Sequence, residues 1–351
     1  ACSALGVAVA CGSSPSPTDV GTGGSPTDPN NGASSGTTPP GGTSSGNPPG
    51  TSSGNPPPPP PATGAMKTVF VVMMENHSWG TIKASKSAGY INTLAMQGAH
   101  AENYYTPAGN HPSEPNYIWL EAGDNLGITT DDPPATNHKS TTDHLVTQLE
   151  AKGVTWKAYS EDITAGTCPL AASGLFDPKH TPMLFFDDVT GTNNASYKRC
   201  TDHVVPYTQL ADDIAKNQVP QYAFITPNLC DDMHGETFGT TCNSVFSDTI
   251  KAGNDWLQNE IPKIQASQAY KDDGVIFLLW DEGDETGFPP VGSDGPIPFI
   301  VLGPKVKPGY VLNTKVTHSA LLRTIQTIFG VPYLRGAMTS PDLAEVFTSF
   351  P

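Results

Sequence analysis

Two short runs of hard oxygen ligands, Glu75-Asn76-His77 and Asp281-Glu282, each follow directly on an apolar segment. The first segment is Thr68–Met74 (TVFVVMM) and the second Gly274–Trp280 (GVIFLLW). Carboxylate and amide oxygens converging on one point suit Mg²⁺, Ca²⁺ or Mn²⁺, and Zn²⁺ where a histidine joins them. Most Asp-Glu pairs are simply solvated loop, and Asp284 and Glu285, one glycine further on, are read that way. Glu75, Asn76, Asp281 and Glu282 are read as ligands because each pair sits at the end of a strand-like run.

Three further constellations carry side chains of the right type. His111-Pro112-Ser113-Glu114-Pro115-Asn116-Tyr117 precedes the apolar run IWL and looks like a helix start, with Pro115 at a first helical position. Ser113 there has two readings. It is either the ordinary N-cap, or a hydroxyl held where backbone N–H groups and the helix dipole attract an anion. Thr226-Pro227-Asn228-Leu229-Cys230-Asp231-Asp232-Met233-His234 follows another apolar run. Asp177-Pro178-Lys179-His180 offers a cation pair in an otherwise polar stretch, a pattern that is more often surface. The pattern GxSxG occurs at residues 32–36, 42–46 and 50–54, but with no strand before it or helix after it. Those three matches are accidents of composition.

Something must position these groups. β-branched and aromatic residues in near-continuous apolar runs are what a parallel strand buried on both faces looks like. Such runs fall at residues 68–74, 154–159, 222–226, 274–280 and 297–302. Apolar residues spaced at three and four predict helices at residues 143–152 and 319–329, and at 254–266 with a break at Pro262. Strands alternating with helices predict an α/β fold with a mainly parallel sheet between two helical layers. In open sheets of this kind, chemistry collects beyond the carboxyl ends of the strands. The polar stretch at residues 165–202 reads as an irregular loop above that edge.

Composition bounds the rest. Of 351 residues, Gly and Pro contribute 35 each, and residues 12–64 are almost wholly Gly, Pro, Ser, Thr and Asn. With nothing apolar to bury, this segment is expected to be a disordered, partly polyproline spacer. Residues 65–351 are then one large domain. Residues 1–11 read as the remnant of an export signal. Ala8-Val9-Ala10 precedes Cys11 as in a lipoprotein cleavage box, so Cys11 is the expected lipidation site and the only membrane contact. The net charge of −16 argues against nucleic acid, which needs a basic stripe. An acidic protein acting on an anion needs local positive charge, which a bound cation supplies. In an exported chain, Cys168, Cys200, Cys230 and Cys242 suggest two disulfides with three possible connectivities. Proximity favours 168 with 200 and 230 with 242, and no CxxC pair supports a zinc-thiolate site.

Taken in order, VVMMENHSW, TPAGNHPSEPNYIWLEAGD, WKAYSED, DPKHTP, ITPNLCDDMH, FLLWDEGDE and HSALLRTI resemble the phosphoesterase family of bacterial and fungal acid phosphatases and bacterial phospholipases C. That family lies within the alkaline phosphatase superfamily, so the resemblance implies an alkaline-phosphatase-like three-layer fold. It implies that Glu75, Asn76, Asp281 and Glu282 bind a divalent metal and that Ser113 is the nucleophile, forming a phosphoserine. His111, Lys179, His180, Asp232 and His234 would line the phosphate and leaving-group side, with Asn228 and His318 nearby. The expected activity is hydrolysis of a small phosphate monoester. A phosphodiesterase or phospholipase C using the same site is the nearest alternative, and a non-catalytic surface lipoprotein is a rival of another class.

Overall fold

Every residue of Thr68–Met74 and of Gly274–Trp280 is buried, because the two strands lie side by side in the middle of one sheet. The computed structural model describes residues 66–235, 242, 248–284 and 295–351. All of them belong to one compact unit, Gly54–Pro351. Cys11, the whole Gly/Pro-rich segment 12–64 with its GxSxG matches, and Glu285 lie outside the described residues.

In chain order the strands are β1 (Thr68–Met74), β2 (Ala99–Ala101), β3 (Tyr104–Tyr105), β4 (Trp156–Ser160) and β5 (Val204–Pro206). They continue with β6 (Tyr222–Thr226), β7 (Gly274–Trp280), β8 (Phe299–Leu302), β9 (Tyr310–Leu312) and β10 (Val316–Thr317). Eight of them form a sheet of order β5-β4-β6-β1-β7-β8-β2-β9, while β10 and β3 pair separately. All neighbours in the large sheet are parallel except β8, which runs against both β7 and β2. β1 matches β7 from Thr68↔Gly274 through to Met74↔Trp280, so both strands end at one level. That register is what sets Glu75 beside Asp281.

Side chains alternate across a strand, which separates the helical layers. Val71 lies in register with Phe224, and Phe224 packs edge-on to Tyr117 of the helix Ser113–Ala122. Met74, of opposite parity on β1, meets the helix Thr249–Ala266 at Gly253, where an added Cβ would come within 2.9 Å of the Met74 methyl. It would come closer still to Met233 Cγ, so both methionine side chains would have to shift. Around Ser113–Ala122 gather His318–Phe329, through Trp119 Nε1 to Ser319 Oγ at 2.7 Å, and Leu145–Ala151, whose Val146 N–H reaches Glu121 Oε1 at 2.8 Å. The other layer pairs Gly89–Gln97 with Thr249–Ala266 through Tyr90 N–H and Asn254 Oδ1 at 2.8 Å. This is the three-layer α/β/α arrangement expected from the sequence.

Several boundaries differ from expectation. The runs at 154–159 and 297–302 become strands at Trp156–Ser160 and Phe299–Leu302. The helix expected to break at Pro262 starts earlier, at Thr249 with Asp248 as its cap, and continues through the proline to Ala266. Burial of Trp256, Leu257, Ile261 and Ile264 outweighs the one lost backbone donor. Residues 165–202 are not simply irregular: short helical turns form at Pro178–His180, Pro182–Phe185, Asp187–Thr190 and Lys198–His203. Met183 to Phe186 are fully buried, so this stretch packs as core. The disulfides are Cys168–Cys200 and Cys230–Cys242, the pairing of sequence neighbours. Two such bonds mark a chain that folds in an oxidising compartment, as an exported protein does. Among the described residues no helix is long and apolar enough to cross a membrane.

Candidate active site

At the carboxyl edge of the sheet the strand ends are stitched to one another by backbone. Asp281 N–H donates to Met74 carbonyl at 3.1 Å, and Glu75 N–H to Asp232 carbonyl at 2.8 Å. Asn76 takes up a left-handed backbone conformation, φ 32°, which asparagine tolerates better than most residues, and its N–H donates to Asp281 Oδ1 at 3.2 Å. Glu75, Asp232, Asp281 and Glu282 are thereby held together and all are almost completely buried.

Ser113 is the first residue of its helix, with Pro112 at the cap position and no side-chain cap bond. Pro115, expected at the first helical position, is the third. The Ser113 hydroxyl does not satisfy its own backbone. It donates instead toward Glu75 Oε2 and Glu282 Oε1, each at 3.3 Å. His111 Nδ1 lies 2.5 Å from Glu282 Oε2. His180 approaches Glu75 Oε1 through Nε2 at 3.1 Å and Asp232 Oδ2 through Nδ1 at 3.2 Å. Lys179 Nζ donates to Asp131 Oδ2 at 3.0 Å, and His234 N–H to Asp232 Oδ1 at 2.7 Å.

Four acids sharing one dry pocket cannot all carry charge unaided. Burial, then the charges of Asp281 and Asp232, push Glu75 well above the ordinary carboxylate range. Burial and the neighbouring Glu282 raise Asp281 to about 8, and burial raises Asp232 well above its usual value. The two histidines move the other way. Burial and Lys179 lower His180 well below its usual value and His234 to about 4, so both imidazoles are neutral. Burial opposes the charge on Lys179, but Glu75 and Asp131 outweigh it and hold the ammonium protonated.

The donor set fits a cation. Asp281 Oδ2, Asp232 Oδ2 and His180 Nε2 are buried with no hydrogen-bond partner of adequate alignment, short as the His180 contacts are. Glu75, His180 and Asp232 offer ligand atoms within 4.8 Å of one another. The Asn76 amide oxygen faces Glu75 Oε2 at 2.7 Å and Asp281 Oδ1 at 3.2 Å, an oxygen-only contact. Turning the amide over would make two hydrogen bonds of these contacts, whereas a cation satisfies all three oxygens as they stand.

Most of the residues singled out in the sequence therefore converge: Glu75, Asn76, His111, Ser113, Lys179, His180, Asp232, His234, Asp281 and Glu282. Two act at one remove. Asn228 shapes its loop, accepting from Cys230 N–H at 3.0 Å and Asp231 N–H at 3.1 Å while donating to Asp162. His318, fully buried, bonds the Asp281 carbonyl through Nε2 at 2.7 Å and meets Tyr104 hydroxyl through Nδ1 at 3.0 Å. Asp284 is not the solvated residue expected. It accepts from His77 Nδ1, Ser78 N–H and Thr81 Oγ1, anchors the start of the helix Trp79–Ala84, and is held well below the usual carboxylate range despite partial burial.

Three contributors went unrecognised in the sequence. Tyr117 donates its hydroxyl to Glu75 Oε1 and stacks on His180 at 5.1 Å. Asn116 Nδ2 reaches Glu282 Oε2 at 3.3 Å. The signal for both was helical spacing, three and four residues beyond Ser113 on the same face. Asp131 had no such signal.

The Phosphoesterase family pattern matches residues 84–332, more than half of the chain. The chain belongs to the Phosphoesterase family. It is a hydrolase of phosphoric esters. Similar proteins include a phosphatidylinositol-3-phosphatase of Mycobacterium tuberculosis, 28% identical over 279 residues that cover 80% of this chain and 82% of that one. A phosphate-repressible acid phosphatase of Penicillium chrysogenum is 28% identical over 251 residues, covering 70% of this chain and 55% of its own length. The chain spans only about that share, 55 to 60%, of the fungal relatives it matches. In fold it is similar to an alkaline phosphatase superfamily protein of Vibrio parahaemolyticus, TM-score 0.55 at 11% identity over 82% of this chain and 74% of the other.

Proposed function

We propose that this phosphoesterase hydrolyses phosphate monoesters in a metal-dependent reaction in which Ser113 takes up the phosphoryl group. The observation that carries the reading is the Ser113 hydroxyl. It starts a helix, declines the cap bond, and points between two buried carboxylates. Relatives that bear the names acid phosphatase and phosphatidylinositol-3-phosphatase support the monoester class.

Glu75, Asn76, Asp281 and Glu282 would hold a divalent cation beside Ser113, with His180 and Asp232 adjoining through Glu75. When bound, such a cation lowers the pKa of the serine hydroxyl and neutralises phosphoryl oxygens. The remaining work falls to the chain. Ser113 Oγ attacks phosphorus as the bond to the leaving oxygen breaks, giving phosphoserine, while its proton passes to one of the two carboxylates it faces, Glu75 or Glu282. Lys179 supplies the positive charge that faces the equatorial oxygens. His111 and His234 would be the groups that pass a proton to the leaving oxygen. His234 gains that proton only in acid or once a phosphate dianion lies beside it, which favours acidic operation. Water then cleaves the phosphoserine and restores the hydroxyl.

Ser113→Ala should lower kcat for p-nitrophenyl phosphate by roughly a thousandfold or more while the protein stays folded. Unchanged turnover would sink the assignment, as would wild-type protein inert with every divalent metal supplied. Turnover of the corresponding phosphocholine diester above the monoester would move the reading to phospholipase C. Export also leaves room for the Cys11 anchor: loss of fatty-acid labelling in Cys11→Ser would support it, and no labelling of the wild type would remove it.

A further inference from the structure

Asp131 occupies an unusual position. One carboxylate oxygen accepts from Lys179 Nζ at 3.0 Å and the other from Glu114 N–H at 2.9 Å. Glu114 directly follows Ser113, and its amide is among the helix-start donors that have no partner within the helix. An ammonium and a helix-start amide beside a nucleophile are the donors an incoming phosphoryl oxygen would use. A carboxylate resembles that ligand in charge and in bite.

The surroundings indicate that this carboxylate can leave. Asp131 lies on an exposed loop and its side chain is 29% accessible, against 10% for Lys179. Its loop neighbour Thr130 is tied through Asn137, which donates to the Thr130 carbonyl at 3.1 Å and to Glu114 Oε1 at 2.9 Å. The loop can thus stay docked on the nucleophile helix while the Asp131 side chain turns outward to water. Lys179 also feels Glu75 and Asp177, so it does not depend on Asp131 alone for its charge.

Resting on the phosphatase reading above, we propose that Asp131 is an internal anion seated on the phosphoryl-oxygen donors beside Ser113, displaced by substrate and returning to expel phosphate. Its effect is to weaken binding of phosphate in the ground state. Only the fraction of molecules with Asp131 turned out can bind, and apparent affinity falls by that fraction. The residue competes with the ligand; it does not take part in bond making.

The test is phosphate binding by Asp131→Asn and Asp131→Ser, both small polar replacements, checked for folding by circular dichroism. Isothermal titration with inorganic phosphate in the presence of Mg²⁺, Mn²⁺ or Zn²⁺ should show binding tightened about three- to tenfold over wild type. The phosphate inhibition constant and KM for p-nitrophenyl phosphate should fall in parallel, with kcat unchanged or lower because product leaves more slowly. Unchanged or weaker phosphate binding in both variants would overturn the proposal, and would mean that Asp131 orients Lys179. If wild-type protein turned over no p-nitrophenyl phosphate with any of these metals, the phosphatase reading itself would fail, whatever the variants bind. The two failures are thus distinguishable.

Discussion

At the scale of single residues, the site is a contest between burial and charge. Tyr117 is a positioning residue in that contest, since it fixes one oxygen of Glu75 and leaves the other toward Ser113. Tyr117→Phe keeps the ring on His180 but removes the donor. Metal affinity, read by titration against thermal unfolding, should fall roughly tenfold, as loss of an outer partner of a ligand commonly costs. An unchanged affinity would remove Tyr117 from the site. A second expectation concerns protons. Raised pKa values on Glu75, Asp232 and Asp281 mean that the metal-free protein retains protons at neutral pH which a cation must displace. Apparent metal affinity should therefore climb as pH rises toward about 8. Titration in buffers of different ionisation enthalpy should show protons released on binding. The same sign governs the metal-free protein: acids raised by folding stabilise it at low pH, and that contribution is lost as pH rises through their folded values. At this scale the ligand oxygens were legible because type and position coincided at strand ends. Asp131 was not, because nothing local in Thr130-Asp131-Asp132-Pro133 distinguishes a carboxylate that reaches across to Lys179 from one in water.

Among the elements, length decided what could be read. β1, β6 and β7 are long enough, and apolar enough on both faces, to announce themselves. β2, β3, β9 and β10 have two or three residues each, too few to establish a period. Nor does an apolar run reveal its direction, so the antiparallel course of β8 had no signal. One joint between elements carries charge that the mechanism does not use. His144 stands at the N-cap position of Leu145–Ala151 without a cap bond and is fully buried, with Nδ1 2.8 Å from Glu121 Oε1 and Nε2 3.0 Å from Asp188 Oδ1. Its ring stacks on Phe186, while Arg199 and Thr147 also hold Asp188. Burial opposes charge on His144, but Asp188 and Glu121 outweigh it and raise its pKa. A raised histidine stabilises fully below its unfolded value and loses that effect as pH rises through the folded one. His144→Ala should therefore cost about 3 kcal/mol at pH 5, and less at pH 9, in urea unfolding. An equal loss at both would show that the ring acts by packing alone.

For the whole molecule, a cation that takes the place of protons on Glu75, Asp232 and Asp281 would bind the folded state and not the unfolded chain, so it should stabilise the fold. Metal at a hundredfold excess over its Kd should stabilise the fold by about 2.7 kcal/mol, which a chelator would reverse in a melting experiment. No shift with any divalent ion would contradict the ligand set. The joining of Asn76 to Asp281 has a further consequence, in time. These residues are 205 positions apart, and β1 cannot be enclosed until β6 and β7 have been made. Pairing over such separations is slow, because the loop must close before any contact rewards it. A half-synthesised chain thus has no pocket with which to trap an ion. An exported chain would acquire its metal where folding finishes, so its metal content should follow the supply outside the cell and be indifferent to the cytosolic pool.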